Sequence, residues 1–470
     1  MRRRDSLAVP ILAAFILLGI TYSIVVPPFE ASDELWHYPM VKYIADHWAL
    51  PVQDPANVGP WRQEGSQPPL YYALAAAATS WIDTADMEVV RHLNPQVDGG
   101  VVTPDGNINL VVHRPEREAF PWHGTILAVH LIRLLSVLMG AASVYLTYRI
   151  VRQILPQAPG LALGAAAVHA FTPMFIFISG SVNNDNLVVP LSSLALLMLI
   201  RLIQRPTAEP IPWARYLLLG VVLGLAALTK TSSLALTVLT ALVVTVRAVR
   251  RRSWTEFLAG GAATLVPLLA ISGWWFARNL RLYGDLTGFS AFFEILGTRD
   301  VPADLAQLWR ERYSFLAGYW GNFGGLNVPM PAWVYALLNA VTAIAGLGLF
   351  VLLFRALVAP RLANRWPALD RLALELDVRP WPLLLVLLWG LGVFIPWLGW
   401  ARVTWSSQGR LVFPAISVWS LLLVLGLGAW LPRRWGRGVA AAFATSLLIL
   451  SVVAPFAWIQ PAYALPDLLT

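Results

Sequence analysis

Apolar residues along this 470-residue chain come in long blocks separated by shorter polar stretches. Eleven blocks read as helices that cross a bilayer: 7–26, 125–148, 160–179, 186–203, 214–229, 231–249, 257–277, 332–354, 382–398, 411–431 and 438–458. A crossing takes about 20 mostly apolar residues, so 214–229 is the shortest that qualifies. The first block opens with Arg2, Arg3 and Arg4, as a secretory leader does. Its apolar run is longer than a leader's, and no small-residue cleavage site precedes Pro27-Pro28, so it is expected to remain as a first helix. The polar stretches that are long, 27–124 and 278–331, alternate with short ones, and 399–410 is a third of the same parity. Within 27–124, Met40, Val41, Ile44 and Trp48 recur at helical spacing behind Pro39. That pattern predicts an amphipathic helix on the membrane surface, begun at Pro39. Residues 68–82 predict a second, short surface or re-entrant helix. VVTPDGNINLVV (101–112) alternates around Pro104-Asp105-Gly106 and predicts a small hairpin. No internal repeat, low-complexity tract or interrupted span is visible.

Composition sharpens this picture. Hydrophobic residues make up 57% of the chain and charged ones 13%, against about 25% charge in soluble domains. A soluble multi-domain enzyme, a disordered chain and a disulfide scaffold are excluded. Cysteine is absent, which removes thiol nucleophiles and cysteine metal sites. The net charge of +8 does not indicate nucleic acid, because the basic residues recur in short clusters between apolar blocks. With the N-terminus in the cytoplasm, inner segments hold 20 of the 34 Lys and Arg but 6 of the 26 Asp and Glu. The Lys/Arg bias is the orientation signal. It predicts a single membrane domain over 1–458, with the long loops 27–124 and 278–331 outside. A short outer tail at 459–470 ends it. A bacterial plasma membrane is the expected location.

The candidate chemistry collects at the outer ends of the blocks. PPFEASDELWHY (27–38) puts Asp33 and Glu34 just beyond the first helix, with His37 on the Asp33 face if the segment is helical. A carboxylate there can serve as a general base, and an Asp/His pair can ligate a divalent metal. The same residues also make an ordinary acidic helix start. Asn183-Asn184-Asp185-Asn186 occupies an outer turn, where Asp185 is either a second carboxylate of the site or a turn and cap residue. Lys230, in the tight turn Leu228-Thr229-Lys230-Thr231-Ser232, is a cation on the outer side, against the general bias. Arg278 and Arg281, Arg402, Gln408 and Arg410 sit at the same level on other loops. Singly, each cation suits a lipid headgroup; together they suit a shared phosphate. Arg62, Glu64 and Gln67 in WRQEGSQPPLYY (61–72) are further cavity candidates. Arg133, inside a block, must face protein or water.

These segments together resemble the GT-C glycosyltransferases, multispanning enzymes that use a polyprenyl-phosphate-linked sugar on the outer side of the membrane. The resemblance rests on Asp33-Glu34 after the first helix, QPPLYY (67–72), NND (183–185), LTK (228–230) and RNLRLYGD (278–285). It extends over about residues 7–430, and QGRLVFP (408–414) looks closer to a less characterised bacterial branch. It implies an all-α polytopic fold of about 11 spanning helices with outer juxtamembrane helices. It also implies a polyprenyl-phosphate-sugar donor and a catalytic carboxylate at Asp33 or Glu34, with Asp185 as a helper. His37, Arg62, Glu64, Gln67, Lys230, Arg278, Arg281, Tyr283, Gln408 and Arg410 are the implied substrate-binding set. The acceptor (a glycan, lipid or protein) and a divalent metal stay open. Polyprenyl phosphate leaves without needing a proton, so such a site needs cations for the phosphate and one base for the acceptor. A lipid-linked-sugar transporter or flippase would need the cations without the base, and usually carries broken helices. A non-catalytic envelope-assembly protein would need neither.

Overall fold

The computed structural model describes residues 7–96, 107–357, 378–430 and 433–464. Arg2–Arg4, the turn at 104–106, Arg361, Arg365 and Arg371, and the end of the tail therefore lie outside the described residues. Helices dominate: α1 (Ala8–Val25), α2 (Glu34–His47), α3 (Leu70–Thr79), α4 (Gly124–Ile154), α5 (Pro159–Ala170), α6 (Pro173–Ser179), α7 (Asp185–Ile203) and α8 (Trp213–Ala227) form the first half. The second half holds α9 (Ala235–Arg251), α10 (Trp254–Tyr283), α11 (Phe289–Leu296), α12 (Arg312–Trp320), α13 (Ala332–Leu357), α14 (Pro380–Val403), α15 (Ile416–Gly428) and α16 (Arg433–Ala454). The sheet content among the described residues is one antiparallel pair, Asn322–Phe323 with Val328–Pro329. The protein is an all-α polytopic membrane protein.

All eleven apolar blocks are helical. Nine are long and apolar enough to cross a membrane, counting only described residues. The block 160–179 is broken instead of continuous: α5 and α6 meet at 61°. Pro173 explains the break. It has no amide to donate and pushes the preceding residue out of the helical region, and Thr172 is extended at ψ 114. The interrupted span that the sequence pattern did not show is thus present. The eleventh block, α8, has 15 residues, short for a full crossing. The last span runs on to Tyr463, five residues past its expected end.

The segment that follows α1 differs from expectation, first in where its helix begins. α2 begins at Glu34, and Pro39 lies inside it. The proline leaves the Leu35 carbonyl without its helical amide, and Arg91 Nε donates to that oxygen at 2.9 Å. The apolar face of α2 is turned to protein. Leu35, Tyr38, Met40, Val41 and Ile44 form a second core with Tyr71, Tyr72, Ala75 and Ala76 of α3 and Ile126, Val129 and Ile132 of α4. Residues 27–96 and 107–123 therefore fold as a packed cap on one end of the bundle. In that cap Asn94 N donates to Leu110 O and Val112 N to His92 O, at 2.9 and 2.8 Å, so the far arm of the expected hairpin pairs with 92–94.

Candidate active site

The site is built by turns at the same end of the bundle. Asp33 is the residue before α2 and has a left-handed backbone, φ 63. Its neighbour Glu34 starts the helix, so the two carboxylates point to different surroundings. Glu34 is completely buried and accepts Arg133 Nε at 3.0 Å and Nη2 at 2.5 Å, Phe29 N at 3.0 Å and Val182 N at 2.8 Å. Arg133 also donates to the carbonyls of Ser23, Val26 and Pro27, at 2.8, 2.7 and 3.0 Å. These carbonyls lie at and just beyond the C-terminal end of α1, where a cation is favourable. One buried ion pair thus joins the end of α1, the start of α2 and the turn before α7.

Asp33 faces the opposite way. Its carboxylate pairs with Arg410 Nη2. Arg410 Nη1 lies 3.7 Å from Asp185 Oδ2, and Asp185 Oδ1 pairs with Lys230 Nζ. Gln408 Oε1 accepts Arg410 Nε at 2.6 Å. Two carboxylates and two cations, from four separate loops, therefore form one chain: Asp33, Arg410, Asp185, Lys230. The Asp33 side chain is 38% exposed, the most open of the four; Arg410 is 3% exposed. The surrounding backbone fixes the loops. Leu70 N donates to Leu228 O at 2.8 Å, tying QPPLYY to the Lys230 turn. Asn183 N donates to Tyr71 Oη at 3.1 Å, and Asp185 N to Asn183 Oδ1 at 2.9 Å. Gln67 Oε1 lies 3.5 Å from Asn184 Nδ2.

A second, neutral group borders the first. His37 Nδ1 is 2.7 Å from Tyr72 Oη, Tyr72 Oη donates to Glu64 Oε2 at 3.3 Å, and Gln63 Nε2 donates to Glu64 Oε1 at 2.9 Å. The His37 ring turns to Tyr72 and Glu64, where the sequence spacing suggested Asp33; only its backbone amide reaches the Asp33 carbonyl, at 2.9 Å. Burial pushes the Glu64 carboxyl up to about 8, helped by the negative charge of Asp33. Burial also drops His37 to about 4, against the pull of Asp33. For Asp33, burial opposes ionisation, but Arg410 and Lys230 outweigh it and hold the carboxyl below its ordinary value. At neutral pH Asp33 is ionised, Glu64 keeps its proton and His37 is neutral. Two carboxyl groups with pKa values pushed apart make the pattern of an acid–base site. Among the described residues, no group of three or more His, Asp and Glu is arranged to hold a metal.

The remaining candidates sit elsewhere. Arg278 Nη2 donates to Pro51 O at 2.7 Å, and Tyr283 Oη accepts Gln53 N at 2.9 Å. Both dock the loop 51–66 onto the end of α10. Arg281 is exposed on that helix. Arg402 Nε donates to Ala303 O at 3.1 Å, which ties the loop between α11 and α12 to α14. Arg62 lies over the Trp36 ring. Tyr71 and Tyr72 are the site residues that the reading by residue chemistry passed over. The signal was the QPPLYY segment itself, noted as a motif without roles for its tyrosines.

Residues 128–276, just under a third of the chain, match the model of the dolichyl-phosphate-mannose-protein mannosyltransferase family. That stretch runs from α4 into α10 and carries Arg133, Asp185 and Lys230. No curated protein matches the chain. Among solved structures, ArnT from Cupriavidus metallidurans in the apo state is similar at 17% identity and a TM-score of 0.49, covering 95% of this chain and 65% of that one. The same protein bound to undecaprenyl phosphate gives 14% identity and a TM-score of 0.48, covering 97% and 73%. The S. cerevisiae Pmt1-Pmt2 complex bound to the sugar donor gives 17% identity and a TM-score of 0.39, covering 61% of this chain and 34% of that one. The chain thus spans a little under two thirds of the apo ArnT chain and a third of the yeast one.

Proposed function

We propose that this protein is a membrane glycosyltransferase that moves a sugar from a polyprenyl-phosphate carrier to an acceptor on the outer face of a bacterial plasma membrane. The observation that carries this reading is the chain of Asp33, Arg410, Asp185 and Lys230, assembled from four loops at one end of the bundle. The family match over 128–276 supports it.

Lys230 and Arg410 hold the donor phosphate, with Asp185 and Gln408 orienting them. In the structure these cations pair with Asp33 and Asp185. A bound phosphate competes for them and weakens the hold of Arg410 on Asp33, which raises the basicity of Asp33. Asp33 then takes the proton from an acceptor hydroxyl. The acceptor oxygen forms a bond to the anomeric carbon, and the bond from that carbon to the phosphate oxygen breaks. Polyprenyl phosphate leaves with the electron pair, its charge stabilised by Lys230 and Arg410. The neutral group of Glu64, Tyr72 and His37 supplies uncharged hydrogen bonds to the sugar beside this path.

The test is release of polyprenyl phosphate when the purified protein is given a panel of lipid-linked sugars and candidate acceptors. The broken span α5/α6 is the observation that favours a lipid-linked-sugar flippase instead. Movement of an intact lipid-linked sugar across proteoliposomes, with no carrier released, would select that reading.

A further inference from the structure

Asp185 begins α7 at the Asp33 site, and Arg201 lies in the last turn of the same helix, at the opposite end of the bundle. α7 packs between α4 and α8, so it forms the floor of a crease with those two helices as walls. Arg149 stands on the α4 wall and Arg215 in the first turn of α8. Both bear electrostatically on Arg201, with the same sign of charge. Arg149 Nη1 donates to Tyr145 Oη at 2.6 Å, and Tyr145 also bears on Arg201, so this pair faces the crease. Among the described residues, none of the three arginines has a carboxylate at ion-pair distance. The acids described at this end are already engaged, Glu209 by Arg205 and Glu256 by Arg247 and Arg251, at 2.8, 2.8 and 3.7 Å. Three guanidiniums drawn from three helices repel one another and are best held by an anion. The floor carries a second signal. Leu191, Leu194, Met198 and Arg201 are half-buried, while the residues between them are buried. Their helical spacing puts them on one face, so the open stripe of α7 is an apolar track that ends in a cation. Leu138 and Tyr145 on the α4 wall and Leu218 on the α8 wall are exposed beside it.

We propose that this crease is a binding site for an anionic phospholipid with two phosphates, of the cardiolipin type, in the leaflet opposite the Asp33 site. An apolar track below a cluster of cations matches acyl chains below an anionic headgroup. Neighbouring helices pack about 8–10 Å apart, so Arg149 and Arg215 flank Arg201 from the two sides. One phosphate serves one of these gaps. A headgroup with two phosphates sets one between Arg149 and Arg201 and the other between Arg201 and Arg215, each met by planar guanidinium donors. A soluble diphosphate would use the cations and leave the track on α7 without a role. The bound lipid supplies the counter-charge and joins the ends of α4, α7 and α8. This site lies a full helix length from the charged chain at Asp33 and does not depend on the transferase reading.

The experiment follows thermal unfolding of the full chain in micelles of a neutral maltoside detergent while lipid is added, since a ligand of the folded state raises Tm by mass action. Cardiolipin should raise Tm in a saturable way, with a half-saturation about fivefold or more below that of phosphatidylglycerol counted per phosphate. Phosphatidylcholine and inorganic pyrophosphate should give no saturable rise. Arg201→Met keeps the apolar stem and removes the charge. Without lipid it should unfold at the wild-type temperature or above it, because a like-charge contact is relieved. With cardiolipin its half-saturation should weaken about fivefold or more, and Arg201→Lys should recover part of that loss. Arg252→Met, at an exposed arginine after α9, should leave the half-saturation unchanged. A lower Tm of Arg201→Met without lipid would show that the chain itself supplies the counter-charge, and the proposal falls. Equal half-saturation for the two anionic lipids per phosphate, or an equal loss in Arg252→Met, reduces the effect to general attraction and also overturns it. Saturation by inorganic pyrophosphate as tight as by cardiolipin would make this a soluble-diphosphate site and end the lipid assignment.

Discussion

Asp33 and Glu34 are adjacent, both acidic, and turned to different surroundings. Glu34 is closed into the core on Arg133, whereas Asp33 is open enough to meet an acceptor. Asp33→Asn keeps the size and removes the basicity. Turnover should fall by roughly 10²–10⁴ if general-base catalysis is the main loss, while donor binding persists. Measuring donor binding and carrier release separately checks both halves, and near-normal turnover would move the role to Asp185. The doublet itself was readable in the sequence, but which member faced the site was not. That choice is made by a left-handed backbone at Asp33 and by a partner 99 residues away, Arg133. Glu64 adds a pH dependence whose sign follows from its burial. Its folded pKa of about 8 lies above the ordinary 4.5, so its contribution to stability is fully present below 4.5 and is lost as pH rises toward 8. Ionised Glu64 also places a second negative charge beside Asp33 and the incoming phosphate. Carrier release should therefore decline as pH rises through about 8, and Glu64→Gln should flatten that limb. A wild-type profile that stays level to pH 9 would remove Glu64 from the site. Asp33 works in the other direction: its lowered pKa stabilises the fold above its ordinary value, and that stability is lost as pH falls through the folded value.

Among the elements, the break between α5 and α6 and the start of α2 show where residue patterns stop being informative. Hydropathy averages over a block, so a single Pro173 inside 160–179 left the average intact while bending the span by 61°. Likewise Pro39 looked like a helix start, because that is where proline fits best. The structure keeps it inside α2, since Arg91 serves the carbonyl that proline leaves open. The junction of α1, α2 and the turn before α7 depends on Glu34 and Arg133 in the same manner. Removing one partner strands a buried charge, so Glu34→Gln and Arg133→Met should each cost about 3–5 kcal/mol. Combining the two changes should cost less than the sum of the single changes. Thermal unfolding of the two singles and the double variant measures the coupling. Additive losses would mean that the pair is not the joint holding these three elements.

At the scale of the whole molecule, the site constrains topology more tightly than charge counting does. Asp33 follows the first apolar block, Asp185 the third, Lys230 the fifth and Arg410 the ninth. Their contacts put these four block ends at one end of the bundle. Even numbers of crossings must therefore separate them, which counts the bent pair α5/α6 as one crossing and the short α8 as another. The sequence made this arrangement legible through block parity and the outward Lys230. It could not show that Arg278 would serve the loop at Pro51 and stay out of the charged chain, because that depends on how residues 51–66 fold back. The Lys/Arg bias of the opposite loops predicts that the site faces outward, and this can be tested directly. The chain has no cysteine, so single cysteines report position without background. Val301, 77% exposed on the site side of the molecule, and Ala208, exposed between α7 and α8, lie on opposite sides in this topology. With the site outside, Val301→Cys should react with a membrane-impermeant maleimide on intact cells, and Ala208→Cys should react only after lysis. The reverse labelling would put the site in the cytoplasm. Labelling of both residues in intact cells would break the block parity and, with it, the count of α8 as a crossing.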